Sequence, residues 1–314
     1  MNKTKFNMVI LGANAQIARS LLHYYAQHEK NNITLFTHRA ELLAKNLKAL
    51  NPVKAEIKTI SDYESLKLLH YDLLINCIGA GTPTRLQDNY QLWHDITEKF
   101  DRLALDALAE SAPKALYVNF SSGAVYGSSL TRPCNGEERS CFAVNNLLPG
   151  DYYALMRLNS EARHRSRRKL RIVDLRIFSF FSRYSDPTDG YFLSDVLAAL
   201  LQKQVLRVQP GNMLRDYVHP QDLCQLIDLA VQQEQINCAL DVYSAAAIDK
   251  FSLLDALQQR FALQFQLEQT PHQSPNNISS VYCSQFHKAA ELGYTPRYSS
   301  LKTIMTELEA RLEN

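Results

Sequence analysis

No apolar run in this chain approaches the eighteen or so residues that a helix needs to cross a bilayer. The first twelve residues, M-N-K-T-K-F-N-M-V-I-L-G, are basic, but their apolar run is far too short for a secretory leader. A cytoplasmic protein with no membrane partner is therefore expected. The six cysteines (Cys77, Cys134, Cys141, Cys224, Cys238 and Cys283) are scattered and form no C-x-x-C pair. That pattern argues against a zinc site or a disulfide frame and fits reduced thiols. An excess of one charge is missing too: 34 Lys and Arg against 32 Asp and Glu leave +2, which gives no basis for nucleic acid as a partner. There is no internal repeat and no low-complexity segment. What remains is 314 residues, 46% hydrophobic and 21% charged. This is the make-up of a soluble globular protein with one large domain or two unequal lobes.

Residues 6–11 are apolar and read as a buried strand, followed by Gly12, Asn14, Ala15, Gln16, Ile17 and Ala18 and then a helical pattern to Tyr25. Strand, small-residue turn and helix form the setting of a dinucleotide-binding fingerprint. Gly12 keeps the tight turn, while Ala15 and Ala18 each add a methyl group where such a fingerprint has glycine. The helix N-terminus still favours a phosphate through its free N–H groups and dipole. Residues 33–37 read as a second strand, ending in Thr37-His38-Arg39. An acid at that end would accept the ribose 2′-hydroxyl of NAD; an arginine suits the 2′-phosphate of NADP instead, so NADP is favoured with NAD as the alternative. Residues 71–78 form a continuous apolar strand that breaks into Gly79-Ala80-Gly81. A long amphipathic helix is expected over 97–109.

The stretch that organises the chain is Y-V-N-F-S-S-G-A-V-Y-G, residues 117–127. Residues 116–120 read as a buried strand that ends in Ser121-Ser122-Gly123. In an open parallel α/β sheet, ligands sit outside the carboxyl ends of the strands, so a serine there can present its hydroxyl to a substrate. Residues 151–168 read as a helix with Tyr153, Arg157 and Glu161 on one face. A Ser at a strand end followed by Tyr-x-x-x-basic resembles the extended short-chain dehydrogenase/reductase family. M-L-R-D-Y-V-H-P-Q-D-L, residues 213–223, resembles that family's R-D-[YF]-[IV]-H-x-x-D-[LV] segment, and E-L-G-Y-T-P near the C-terminus resembles its closing L-G-[WY]-x-P.

The resemblance implies a Rossmann-like doubly wound parallel sheet with a smaller C-terminal α/β substrate lobe. It divides the chain into a cofactor domain of 1–178 plus about 217–243 and a substrate lobe of 179–216 and 244–314. It implies a nucleotide-sugar reductase or epimerase, working as a homodimer, with Tyr153 as acid/base, Ser122 holding the same oxygen, and Arg157 in the position of the usual lysine. A free tyrosine ionises near pH 10. One cation about 5 Å away at an effective dielectric of about 20 contributes about 3 kcal/mol toward the phenolate. Arginine carries that charge, but its planar fork differs from an ammonium. An arginine that only pairs with Glu161 along the helix is the simpler alternative. Gly79, Ala80 and Gly81 match a small-residue turn beside the cofactor, joining Gly12, Asn14, Ala15, Gln16, Ile17 and Arg39. Ser179, Arg215 and Arg297 are carried over as substrate contacts, the arginines for a diphosphate. For Arg215 a salt bridge with Asp216 or Asp222 is the alternative. Positions 123 and 124 are Gly and Ala where dehydratases have an Asp-Glu pair, which leaves epimerisation, ketone reduction and oxidative decarboxylation. Three departures, Ala15, Ala18 and Arg157, keep open a non-catalytic binding module on the same fold.

Overall fold

The computed structural model describes residues 5–79, 89–127, 130–268 and 280–313. The chain begins with β1 (Phe6–Leu11), α1 (Gln16–Tyr25), β2 (Asn31–Phe36), α2 (Ala40–Lys48), β3 (Glu56–Ile60) and β4 (Leu73–Asn76). Then come α3 (Tyr90–Ser111), β5 (Leu116–Ser122), α4 (Pro149–Ser166) and β6 (Arg171–Ile177). Together with β11 (Asn237–Val242), these strands form one seven-stranded sheet in the order β11-β6-β5-β4-β1-β2-β3. Every pairing in it is parallel.

A parallel sheet of this kind is covered on both faces, so its central strands are apolar throughout. All seven residues of β5 are buried. Side chains alternate along β1: Met8 and Ile10 enter the core under α1, while Val9 and Leu11 enter the core under α3. Helix α1 buries Ala18, Leu21, Leu22 and Tyr25, spaced to form one stripe. The order reverses between β1 and β4, where successive crossovers leave to opposite sides. That topology opens a crevice at the carboxyl ends of these strands.

The remaining elements are β7 (Ser179–Phe180), α5 (Phe192–Gln202), β8 (Leu206–Val208), β9 (Leu214–Arg215), β10 (Tyr217–Val218) and α6 (Pro220–Val231). After β11 follow β12 (Ile248–Asp249), α7 (Lys250–Phe261), β13 (Phe265–Leu267), β14 (Val281–Tyr282) and α8 (Ser300–Leu312). Helix α6 buries Leu223, Leu226 and Ile227 in the core that also takes α1. A further core, with Leu193, Val196, Leu254, Leu257, Ile304 and Leu308, joins α5, α7 and α8. It sits beside three small sheets, β7–β10, β12–β9–β14 and β8–β13.

The elements depart from the sequence reading in several places. The strand expected over 71–78 is confined to Leu73–Asn76, the helix expected from 97 begins at Tyr90, and β3 has no counterpart in the sequence pattern. Strand β3 is E-I-K-T-I at the sheet edge with no fully buried residue, so it carries almost no apolar signal.

Candidate active site

The turn from β1 to α1 is set by Gly12, whose φ of +73° is a conformation that side chains disfavour. A Cβ there would also lie 2.9 Å from Cγ1 of Ile78. Ala15 is the N-cap of α1 and gives no side-chain cap, so the N–H groups of the first turn point outward without a side-chain acceptor. The methyl group of Ala18 is absorbed in the core, 1% exposed, so that departure from glycine costs no space at the crevice. Asn14 turns its side chain to β2, donating to Thr37 Oγ1 (2.8 Å) and the Arg39 carbonyl (3.1 Å). Gln16 donates to Ser185 Oγ (2.6 Å), and Ile17 packs on the core. What these residues leave for a ligand is backbone. Arg39 is exposed at the start of α2, and the end of β2 carries no acid. Turn, uncapped helix start and exposed cation together fit a dinucleotide phosphate. Of the small-residue turn after β4, Gly79 is described, while Ala80 and Gly81 lie outside the described residues.

Ser122 is the last residue of β5. Its Oγ accepts from the Ala124 N–H (3.2 Å) and lies 2.9 Å from the hydroxyl of Tyr282. Tyr153 and Arg157 are on α4, one turn apart, with the guanidinium carbon 5.1 Å from the Tyr153 ring centroid. Arg157 Nη1 donates to the Phe120 carbonyl of β5 (3.0 Å). Its other end lies against Gly79, where a Cβ would be 3.0 Å from Nη2, and Gly79 has φ +153°. The cation therefore bridges the carboxyl ends of β4 and β5, beside Tyr153. Tyr191 and Tyr282 both lie within electrostatic reach of Tyr153.

The pairing of Arg157 with Glu161 does not form. Glu161 accepts from Arg176 (2.6 Å) and from Ser121 Oγ (2.6 Å) instead. The buried face of α4 is polar at Arg157, Glu161 and His164, and each residue has its own anchor. His164 is fully buried, with Nε2 2.7 Å from Asp101 of α3 and Nδ1 2.8 Å from Asp174 of β6. Burial alone would lower its pKa, but the bonds to Asp101 and Asp174 outweigh that and raise it from 6.5 to about 9. Helix α4 is thus pinned by polar bonds to β5, β6 and α3, which fixes Tyr153 relative to Ser122.

Arg215 also forms no pair with Asp216 or Asp222. Asp216 accepts from Ser244 and Ser300, and Asp222 accepts from the N–H groups of Arg297 and Tyr298. Arg215 is buried, donates to the adjacent Leu214 carbonyl, and sits 5.9 Å from the Tyr282 ring centroid. Ser179 is in β7, the short strand that follows β6 and pairs with β10. Arg297 is not brought to this group: its side chain is 63% exposed, lies 3.7 Å from Asp222, and acts on Tyr24 at the far end of α1. Asp222 holds Arg297 by its backbone N–H and by its guanidinium together. His219 caps α6, accepting from the Gln221 N–H (3.1 Å). Sequence reasoning misses Tyr282, which follows a polar stretch with no readable pattern. Among the described residues no His, Cys, Asp and Glu group is arranged to hold a metal ion.

Known structures share this arrangement of elements. UDP-glucuronic acid 4-epimerase from Bacillus cereus, solved with UDP-glucuronic acid and NAD, superposes with a TM-score of 0.80 at 15% identity, over 98% of this chain and 99% of that one. UDP-N-acetylglucosamine 4-epimerase from Methanobrevibacter ruminantium gives 0.80 at 17% identity, over 99% of both chains. ADP-L-glycero-D-manno-heptose-6-epimerase from Helicobacter pylori gives 0.77 at 18% identity, over 100% of this chain and 99% of that one. No curated protein sequence matches this chain. The model of the NAD dependent epimerase/dehydratase family matches residues 8–242, and the chain belongs to that family.

Proposed function

We propose that the protein is an NAD(P)-dependent nucleotide-sugar epimerase or 4-keto reductase. The observation that supports this reading is Arg157, 5.1 Å from the Tyr153 ring centroid and bonded to the Phe120 carbonyl two residues before Ser122, whose hydroxyl meets that of Tyr282. When bound, the dinucleotide supplies hydride acceptance and donation. Tyr153 moves the proton to or from the sugar oxygen, Ser122 holds that oxygen, and Arg157 provides a permanent positive charge beside the phenol. Ser122 exchanges its bond with Tyr282 for one to the substrate. Gly123 and Ala124 supply no carboxylate for water elimination, which sets 4,6-dehydration aside. The buried Arg215, paired with neither Asp216 nor Asp222, suits the substrate diphosphate. Arg39 supports NADP over NAD.

In this reading 1–178 with 217–243 carries the cofactor, and 179–216 with 244–314 carries the substrate. The protein is a cytoplasmic homodimer. The test is to incubate it with NAD or NADPH and a panel of UDP-, dTDP- and ADP-sugars, following the sugar ring by NMR. An epimerised or reduced sugar is expected from one of them. Binding of dinucleotide and sugar without any turnover would favour a binding module instead.

A further inference from the structure

Strand β4 reads Leu73-Leu74-Ile75-Asn76, with all four residues buried. A buried amide is costly unless both of its ends are bonded. Asn76 Nδ2 donates to the Tyr117 hydroxyl of β5 (3.0 Å), and Asn76 Oδ1 accepts from the Ile78 N–H (3.0 Å). The Tyr117 hydroxyl donates in turn to Asp101 Oδ1 of α3 (3.0 Å), the same oxygen that lies 2.7 Å from His164 Nε2. Donation thus runs one way from Ile78 through Asn76 and Tyr117 to Asp101, where it meets the donor of His164 on α4. Every side chain in the chain from Asn76 to His164 is buried. Its backbone end lies at the dinucleotide crevice. A Cβ on Gly12 would be 2.9 Å from Ile78 Cγ1 and 3.1 Å from the Cys77 carbonyl oxygen, and one on Gly79 would be 3.0 Å from Arg157 Nη2. The 77–79 turn is therefore wedged between the β1–α1 turn and the cation beside Tyr153.

We propose that Asn76 and Tyr117 are positioning residues for the dinucleotide: they hold the 77–79 turn against Gly12 and Arg157 and tie it to the His164 cluster. This rests on the dinucleotide reading and deepens it, because residues that touch no ligand set the shape of the turn. The groups facing His164 are Asp101 from α3, Asp174 from β6 and the Tyr117 ring from β5, edge-on at 5.5 Å. Arg163 and Arg165 of its own helix donate to Asp101 Oδ2 (3.0 Å) and Asp174 Oδ2 (2.5 Å), and Asn119 of β5 donates to Asp174 Oδ1 (2.7 Å). Doubly protonated, His164 donates to both acids. Above its pKa of about 9 only one ring nitrogen donates. The bond to Asp101 is then lost in one tautomer and stripped of its charge assistance in the other. Asp101 is also the acceptor of Tyr117, so the change passes through Tyr117 and Asn76 to the Ile78 N–H.

The experiment has an arm without ligand and an arm with one. In the first, the Ile78 amide signal is followed by NMR from about pH 7 to 10 in nucleotide-free protein. It is expected to titrate with a midpoint near the His164 value of about 9 in wild type and to lose that step in Tyr117→Phe. A wild-type Ile78 amide without the step would overturn the proposal, and that result needs no variant to fold. In the second arm, NADPH and NADH are titrated in parallel by fluorescence at about pH 7 and 10. Wild-type affinity is expected to fall about fivefold across that range. Tyr117→Phe and Asn76→Leu are expected to bind about fivefold more weakly already at pH 7 and to change no more than about twofold with pH. A purely structural role would leave the full pH step in a folded Tyr117→Phe protein, and that outcome would overturn the proposal. A titrating Ile78 amide in protein that binds neither nucleotide would remove the dinucleotide reading itself. Bound nucleotide with an unresponsive amide would remove this proposal alone.

Discussion

Arg157 is the side chain on which this site differs most from what a lysine would provide. Its guanidinium reaches the Phe120 carbonyl and packs on Gly79 while staying 5.1 Å from the Tyr153 ring centroid. A cation at that range contributes about 3 kcal/mol at an effective dielectric of about 20. Arg157→Ala is therefore expected to lower kcat by about a hundredfold. Arg157→Lys keeps the charge and should retain most of the turnover. An Arg157→Ala enzyme as fast as wild type would show the cation to be misassigned. Arg39 makes a different prediction. Arg39→Ala should weaken NADPH by about tenfold and leave NADH unchanged, as read by fluorescence titration of each reduced nucleotide; equal losses for both would rule out a 2′-phosphate contact. Ser122, Tyr153 and Arg157 are legible in the sequence because a strand end and a helical i, i+4 spacing place them without tertiary information. Tyr282 is not, because its approach to Ser122 depends on the pairing of β14 with β9 across distant chain. Arg215 stands out in the sequence as a charged residue of interest, yet only the structure shows that neither Asp216 nor Asp222 is spent on it.

At the scale of the element, α4 is unusual in burying a polar stripe. Arg157, Glu161 and His164 each hold a separate partner on β5, β6 or α3. Hydrophobic periodicity cannot find this face, since polar and charged residues hold most of its buried positions beside Ala154 and Met156. His164 makes the anchoring pH-dependent. Its folded pKa, about 9, exceeds the unfolded value of 6.5, so its contribution is complete below pH 6.5 and is lost as pH rises through 9. The size of that contribution is about 3 kcal/mol. Thermal unfolding followed by circular dichroism should show a Tm falling by roughly 5 °C between about pH 6.5 and 9.5. His164→Gln should start from a lower Tm and show a flatter profile. An unchanged slope in that variant would mean that another group sets the alkaline limit.

At the scale of the whole molecule, the order β11-β6-β5-β4-β1-β2-β3 brings the β1–α1 turn, Gly79 and Ser122 to one edge of one sheet. The apolar strands β1, β4, β5 and β6 are readable because strands buried on both faces write continuous apolar runs. The edge strand β3 and the small sheets are not, being short and polar or stabilised only by pairing partners far along the chain. The fold thus supplies the place, and the chemistry rests on whether Tyr153 acts there. The most direct measurement compares wild type with Tyr153→Phe, on the sugar nucleotide found to turn over, after dinucleotide and substrate affinities of both have been matched. The account predicts binding retained and kcat reduced by about 10²–10⁴. Turnover in Tyr153→Phe equal to wild type would contradict it.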